Sequence, residues 1–185
     1  MNDNLFEGEL VRLTAEEPEF ASKASSRWSR DSEYLRLLDT EAAQMWSAKK
    51  YQQWFEKNIG QDRSAHIGFY IRALEDNRLI GFIVMSDIQW AHGDAWIGIG
   101  IGERDDWGKG YGTDALRIIL RYAFTELNLH RVSLGVFSYN QRAIRSYQKA
   151  GFKHEGSGRE SLLRDGQRFD DQYMGVLRSE WEMMA

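Results

Sequence analysis

Trp107-Gly108-Lys109-Gly110-Tyr111-Gly112-Thr113 is the stretch on which the reading of this chain turns. Residues 95–102, apolar with glycine at alternate positions, precede it, and residues 114–127, strongly amphipathic, follow it. The pattern predicts strand, loop, helix. Glycines at alternate positions remove side chains and admit positive φ, so successive N–H groups can turn to one side. The helix that follows aims its unpaired N–H groups and partial positive charge at the same spot. Together these make an anion site suited to a phosphate or pyrophosphate, and Lys109 adds a full charge. The loop is not a P-loop, because no Gly-Lys-Ser/Thr closes it. Nor is it the dinucleotide fingerprint, since no acidic residue ends a following strand about twenty residues on. Taken alone it also fits a flexible turn with a helix start.

Upstream of the loop, residues 64–74, 78–88 and 94–102 read as three strands of an antiparallel meander, with turns at Glu75-Asp76-Asn77 and over 88–93. Ahead of them come a first strand over 6–14, a short helix entered at Ala15-Glu16-Glu17-Pro18, and a helix over 42–58. Residues 28–39 mix aromatics with charges. They read either as a helix connection covering the core or as a wall of an acceptor pocket. Downstream, the spacing predicts a helix over 114–127, a strand over 131–137 and a helix over 140–150 stopped by Gly151. Two strands, 152–163 and 167–177, flank the turn Arg164-Asp165-Gly166. The sum is an α+β fold of three layers, α/β/α, with a mixed, mostly antiparallel sheet and helices on both faces.

With 185 residues, the chain reads as one domain over 1–185. A hydrophobic fraction of 42% is ample for a core, and a net charge of −4 argues against general nucleic-acid binding. There is no cysteine, which excludes disulfides, thiolate metal sites and a cysteine nucleophile. His66, His92, His130 and His154 lack ligand spacing, so no metal is expected. No apolar run has the length of a membrane span, and Met1-Asn2-Asp3-Asn4 opens no signal peptide. A cytoplasmic protein without a membrane partner is the expectation.

A second motif, Asn140-x-x-Ala143-x-x-x-Tyr147-x-Lys149-x-Gly151-Phe152, follows a strand. Helical spacing puts Ala143 and Tyr147 on one face with Asn140 at the helix start. Each residue alone also fits a packing aromatic or an N-cap. In order after the glycine loop, the pair resembles the GNAT superfamily of N-acetyltransferases. Leu127-Asn128-Leu129-His130-Arg131-Val132 and the hairpin Arg164-Asp165-Gly166-Gln167 resemble two of its groups, the ribosomal-protein N-terminal acetyltransferases and spermidine acetyltransferase.

The resemblance implies a single GNAT-type domain with a splayed central strand pair, and acetyl-CoA as co-substrate. Its pyrophosphate would lie on Trp107, Gly108, Lys109, Gly110, Tyr111, Gly112 and Thr113. Its pantetheine arm would run along Gly100, Ile101 and Gly102 and meet Asn140, with Tyr147 beside the thioester sulfur. Trp107 departs from the Gln or Arg usual at that position, as the ribosomal-protein group also does. Lack of cysteine fits direct attack by an amine in a ternary complex. Tyr147 is the implied acid for the leaving thiolate, with Asn140 as its companion. The base is open: Trp96 stands where many relatives carry a carboxylate, which leaves Asp94, Asp87, Glu33 and Glu103. Glu33, Tyr34, Asp94 and Trp96 are the substrate-side candidates, and Trp28 and Trp90 are further aromatics for the entrance. The expected acceptor is a protein N-terminal amine. A polyamine, an aminoglycoside-like amine, or a non-catalytic acyl-CoA-binding module are the alternatives. Ser161-Leu162-Leu163 and Tyr173-Met174 would supply either a homodimer surface or the end of the monomer core.

Overall fold

A computed structural model describes residues 4–58 and 66–184. Seven strands form one sheet: β1 Val11–Thr14, β2 Ile67–Ala73, β3 Leu79–Gln89, β4 Asp94–Ile101, β5 Arg131–Phe137, β6 Lys153–Arg164 and β7 Gln167–Leu177. Their spatial order is β1-β2-β3-β4-β5-β7-β6, antiparallel throughout except for the parallel pair β4-β5. The helices are α1 Pro18–Trp28, α2 Ser32–Leu38, α3 Ala48–Asn58, α4 Tyr111–Thr125, α5 Gln141–Lys149 and α6 Arg178–Glu182. The expected α+β architecture is therefore the observed one.

The two faces of the sheet are built differently. On one, α4 presents Leu116, Ile119, Leu120 and Ala123, all fully buried, to the inward residues of β1 to β5. That stripe recurs at helical spacing, and each buried Leu or Ile is worth about 1.5–3 kcal/mol of transfer free energy. On the other face, Trp28 of α1 and Tyr34 of α2 bury themselves with Tyr70 and Phe82. A β-carbon at Gly102 would overlap the Trp28 indole, so the bare glycine is what lets α1 pack on the end of β4.

One break in the sheet positions the site. β4 and β5 pair only at Asp94↔Arg131, Ala95↔Val132 and Trp96↔Ser133, although both strands continue. Beyond Trp96 and Ser133 they part into a V, as the resemblance implies.

Several boundaries differ from expectation for local reasons. β1 starts at Val11 because the carboxylate of Asp114 takes the N–H groups of Glu9, Leu10 and Val11 and bends the chain ahead of it. α3 starts at Ala48, after Ser47, whose hydroxyl accepts the Lys50 N–H as an N-cap does. Residues 28–39 divide: Trp28 closes α1, and Asp31 caps α2 by accepting the Glu33 N–H. Ser64 and Ala65 of the expected strand lie outside the described residues. α6, which the sequence pattern does not announce, is held by Trp181 against Phe124. Of the late hairpin, Leu162 and Met174 finish the core, while Leu163 and Tyr173 stay exposed.

Candidate active site

The V opens into a cavity of about 350 Å³ between the end of β4, the glycine loop, the start of α4 and the face of α5. Gly108 and Gly110 have φ of 78° and 93°, which only glycine adopts freely, and Gly110 serves as N-cap of α4. No side chain caps this helix, so its first-turn N–H groups, from Tyr111, Gly112 and Thr113, are left for a ligand. Of the expected contacts, Gly100, Ile101, Trp107, Gly108, Gly110, Tyr111, Gly112, Thr113, Asn140 and Tyr147 all line this cavity. Gly102 and Lys109 do not. The Gly102 N–H is spent on the Ile80 carbonyl, and the Lys109 ammonium turns to Asp106, 3.8 Å away.

The positive charge comes instead from α5. Arg142, Arg145 and Lys149 line the cavity, spaced i, i+3, i+7 along the helix that carries Tyr147. The Arg142 guanidinium carbon stands over the Trp107 indole, 3.7 Å from its centroid, with no carboxylate in ion-pair distance among the described residues. Burial lowers its pKa, yet a guanidinium stays charged at neutral pH. Trp107 itself donates its indole N–H to the Ile101 carbonyl at 2.8 Å. The residue that departs from the usual Gln or Arg thus ties the loop to β4 and gives Arg142 a platform. The sequence signal for these cations was their shared stripe on α5.

Gly112 offers a clean test of the anion cradle. A β-carbon there meets nothing closer than the Ser146 hydroxyl at 3.6 Å, and φ is ordinary. Gly112→Val is therefore expected to leave the melting temperature within a few degrees while weakening acetyl-CoA binding by about tenfold or more, since the added methyls fill the cradle. Calorimetric titration alongside a thermal melt checks both.

Tyr147 is 8% exposed, and burial pushes its phenol up to about 12. Its helix ends where Phe152 N–H returns to the Tyr147 carbonyl and Gly151, at φ 101°, turns the chain. Asn140 caps α5 through its side-chain oxygen, which accepts the Ala143 N–H at 3.2 Å. Its carbonyl is thus engaged, and its amide N–H₂ is the part left for a ligand.

The substrate-side residues do not converge. Tyr34 lines the cavity and is packed against Trp28; burial drives its phenol pKa far upward. Glu33 lies in the neighbouring cleft, where Arg104 holds it at 2.7 Å and Asp31 at 2.5 Å. Asp94 stands at the closed end of the V, five residues before Ile99, the nearest β4 residue that lines the cavity. Trp96 sits on the α1–α3 face, edge-on to Tyr173 with ring centroids 6.2 Å apart. Of the other base candidates, Glu103 is paired with Arg27 and Asp87 takes the Ser86 hydroxyl. Trp28 is in the core and Trp90 is exposed. A carboxylate absent from the sequence expectations, Asp171 of β7, is half-buried and accepts no hydrogen bond from the described residues.

No group of three His, Cys, Asp or Glu that could hold a metal occurs among the described residues, and no helix there is long and apolar enough to cross a membrane.

Comparison with known proteins agrees with this geometry. Residues 9–153 match the acetyltransferase (GNAT) domain model. The "Probable N-acetyltransferase YjcK" of Bacillus subtilis is 35% identical over 69% of this chain and 70% of its own. The "Putative ribosomal N-acetyltransferase YdaF" of the same organism is 34% identical over 59% of each. Among solved structures, spermidine N-acetyltransferase from Vibrio cholerae in complex with CoA and spermine superposes with a TM-score of 0.81 at 25% identity, covering 93% of this chain and 98% of that one.

Proposed function

The chain belongs to the acetyltransferase (GNAT) family and is an N-acetyltransferase acting on amines, and from that premise we propose that its donor is acetyl-CoA and its acceptor the free α-amine of a polypeptide N-terminus. The donor, when bound, supplies an acyl electrophile and a thiolate leaving group. The glycine loop and the start of α4 offer N–H groups to its pyrophosphate, and Arg142, Arg145 and Lys149 offer charge to its phosphates. Tyr147, protonated at neutral pH, offers an O–H to the departing sulfur.

The observation that carries the acceptor class is Arg104. It bridges Asp31 and Glu33, and with Arg36 and Arg164 set against Asp165 the cleft beside α2 carries three arginines and three carboxylates, so it has no net negative charge with which to collect a polycation. A low amine pKa also suits a site whose candidate carboxylates are mostly engaged elsewhere. An α-amine near pKa 7.7–8.0 is about one-tenth neutral at pH 7, whereas an amine near 10.4 is neutral in roughly one molecule in 2,500. The likeness to the spermidine enzyme supports polyamines as the second reading.

The test compares kcat/KM for a hexapeptide with a free amino terminus, its N-blocked counterpart and spermidine, with products read by mass spectrometry. Acetylation of the free peptide at its α-amine, ahead of spermidine, is expected. Tenfold preference for spermidine would overturn the peptide reading and leave an amine acetyltransferase. Arg104→Ala is expected to raise kcat/KM for spermidine by about tenfold, the worth of one charge-assisted hydrogen bond, and to leave the peptide within about twofold.

A further inference from the structure

On the face of the sheet opposite α4 and α5, the vertex of the V is a hollow. Its floor is Gly98 of β4 and Gly135 of β5, each two residues beyond the last paired positions, Trp96 and Ser133. A β-carbon on Gly98 would meet only Val84, at 3.5 Å. A β-carbon on Gly135 would meet only the carboxylate of Asp171, with Oδ1 at 3.5 Å. β7 brings that carboxylate there because it pairs with β5, Gly135 opposite Tyr173 and Phe137 opposite Asp171. Directly opposed residues share a face, so Asp171, Tyr173 and Trp96 all stand on the hollow's side. The contact of the Trp96 and Tyr173 rings agrees. Both rings are about 40% exposed, so the hollow is open to solvent.

Resting on the amine acetyltransferase reading above, we propose that Asp171 is the acceptor-side catalytic carboxylate, receiving the incoming ammonium group at the vertex of the V, beside the contacting Trp96 and Tyr173 rings. Among the described residues the Asp171 carboxylate has no hydrogen-bond or ion-pair partner, unlike Glu33, Glu103 and Asp31, each of which is held by an arginine. Partial burial holds its carboxyl above the usual aspartate range. Tyr173 is the titratable neighbour on this face, and Asp94 and Arg131 mark its closed end. An unpaired carboxylate in such a place gains more from a cation than a solvated one does. In the reaction, the bound ammonium group first gives one proton to water, and the lone pair of the resulting neutral amine then forms a C–N bond to the thioester carbonyl carbon. The proton that this makes acidic leaves nitrogen for an oxygen of Asp171. The C–S bond breaks with its electron pair going to sulfur, and Asp171 returns its proton to water.

Asp171→Asn loses no hydrogen bond to the described residues, so the variant is expected to fold as the wild type does. With the free-amine hexapeptide, and with spermidine if that is the better acceptor, kcat/KM is expected to fall about tenfold to a hundredfold, with the acetyl-CoA Kd unchanged. The wild-type kcat/KM profile is expected to show an acid limb above the ordinary aspartate range, missing in Asp171→Asn and present in Asp171→Glu with part of the activity. Equal kcat/KM in Asp171→Asn and wild type overturns the assignment and leaves the transferase reading intact. A wild type that binds acetyl-CoA but acetylates neither amine overturns both.

Discussion

Tyr147→Phe is expected to lower turnover at least a hundredfold while the acetyl-CoA Kd moves by less than about threefold, in line with loss of a positioned acid. The phenol faces the cavity from α5, and its ring is wedged edge-on against Phe152, so removing the hydroxyl leaves the packing in place. The chemistry is constrained by its pKa. Burial pushes Tyr147 up to about 12, whereas a thiol leaves near 8.5. Complete transfer of the proton to sulfur is therefore uphill by about 5 kcal/mol, so the role proposed for the phenol is to donate a hydrogen bond as charge builds on sulfur. The thiolate then collects its proton from water. A tyrosine at its ordinary pKa would begin to ionise near pH 9; this one stays protonated well beyond it. The kcat profile is accordingly expected to be free of a tyrosine limb between pH 7 and 10. Equal turnover by Tyr147→Phe, or a limb near 10 that the substitution abolishes, would remove this role.

The elements that were legible are those whose signal is local. β5 and β7 match their expected bounds, and α5 ends at the glycine that its sequence marks. The glycine loop was legible for the same reason, because positive φ at Gly108 and Gly110 is a property of single residues. What was hidden depends on partners far away in the chain. Lys109 reads as a phosphate ligand until Asp106 is seen to hold it, and Trp107 reads as a lost contact until Arg142 is found over it. Glu33 and Asp94 are acidic and close to the right segments, but Arg104 neutralises one and strand register puts the other at the closed end of the V. Asp171 reaches the hollow only because β7 enters the sheet between β5 and β6, an order that residue spacing does not encode. Periodicity reports which face a residue takes; it does not report which strand lies next to it.

Asp114→Ala is expected to cost about 4 kcal/mol of folding free energy, measured by urea unfolding, because one carboxylate satisfies three backbone donors. Asp114 sits in the first turn of α4 and is 5% exposed. It accepts the N–H groups of Glu9 at 3.2 Å, Leu10 at 2.7 Å and Val11 at 2.9 Å. Alanine leaves those donors unpaired, and the Val11 group is fully buried, so water cannot replace the carboxylate there without opening the edge of the sheet. Asparagine keeps one acceptor oxygen but turns an N–H₂ toward a donor, so about half the loss is expected for Asp114→Asn. The consequence reaches the site. The clamp holds Leu10 against the glycine loop, where a β-carbon on Gly110 would lie 3.1 Å from its side chain. Loosening the clamp frees the loop whose N–H groups must point together, so acetyl-CoA affinity is expected to fall as well. Because ligand binding to the folded state adds stability, saturating acetyl-CoA is expected to restore part of the lost melting temperature. Unchanged stability in Asp114→Ala would mean that β1 is held by its pairing with β2 alone. In that case the glycine loop would be rigid without help from the N-terminal segment.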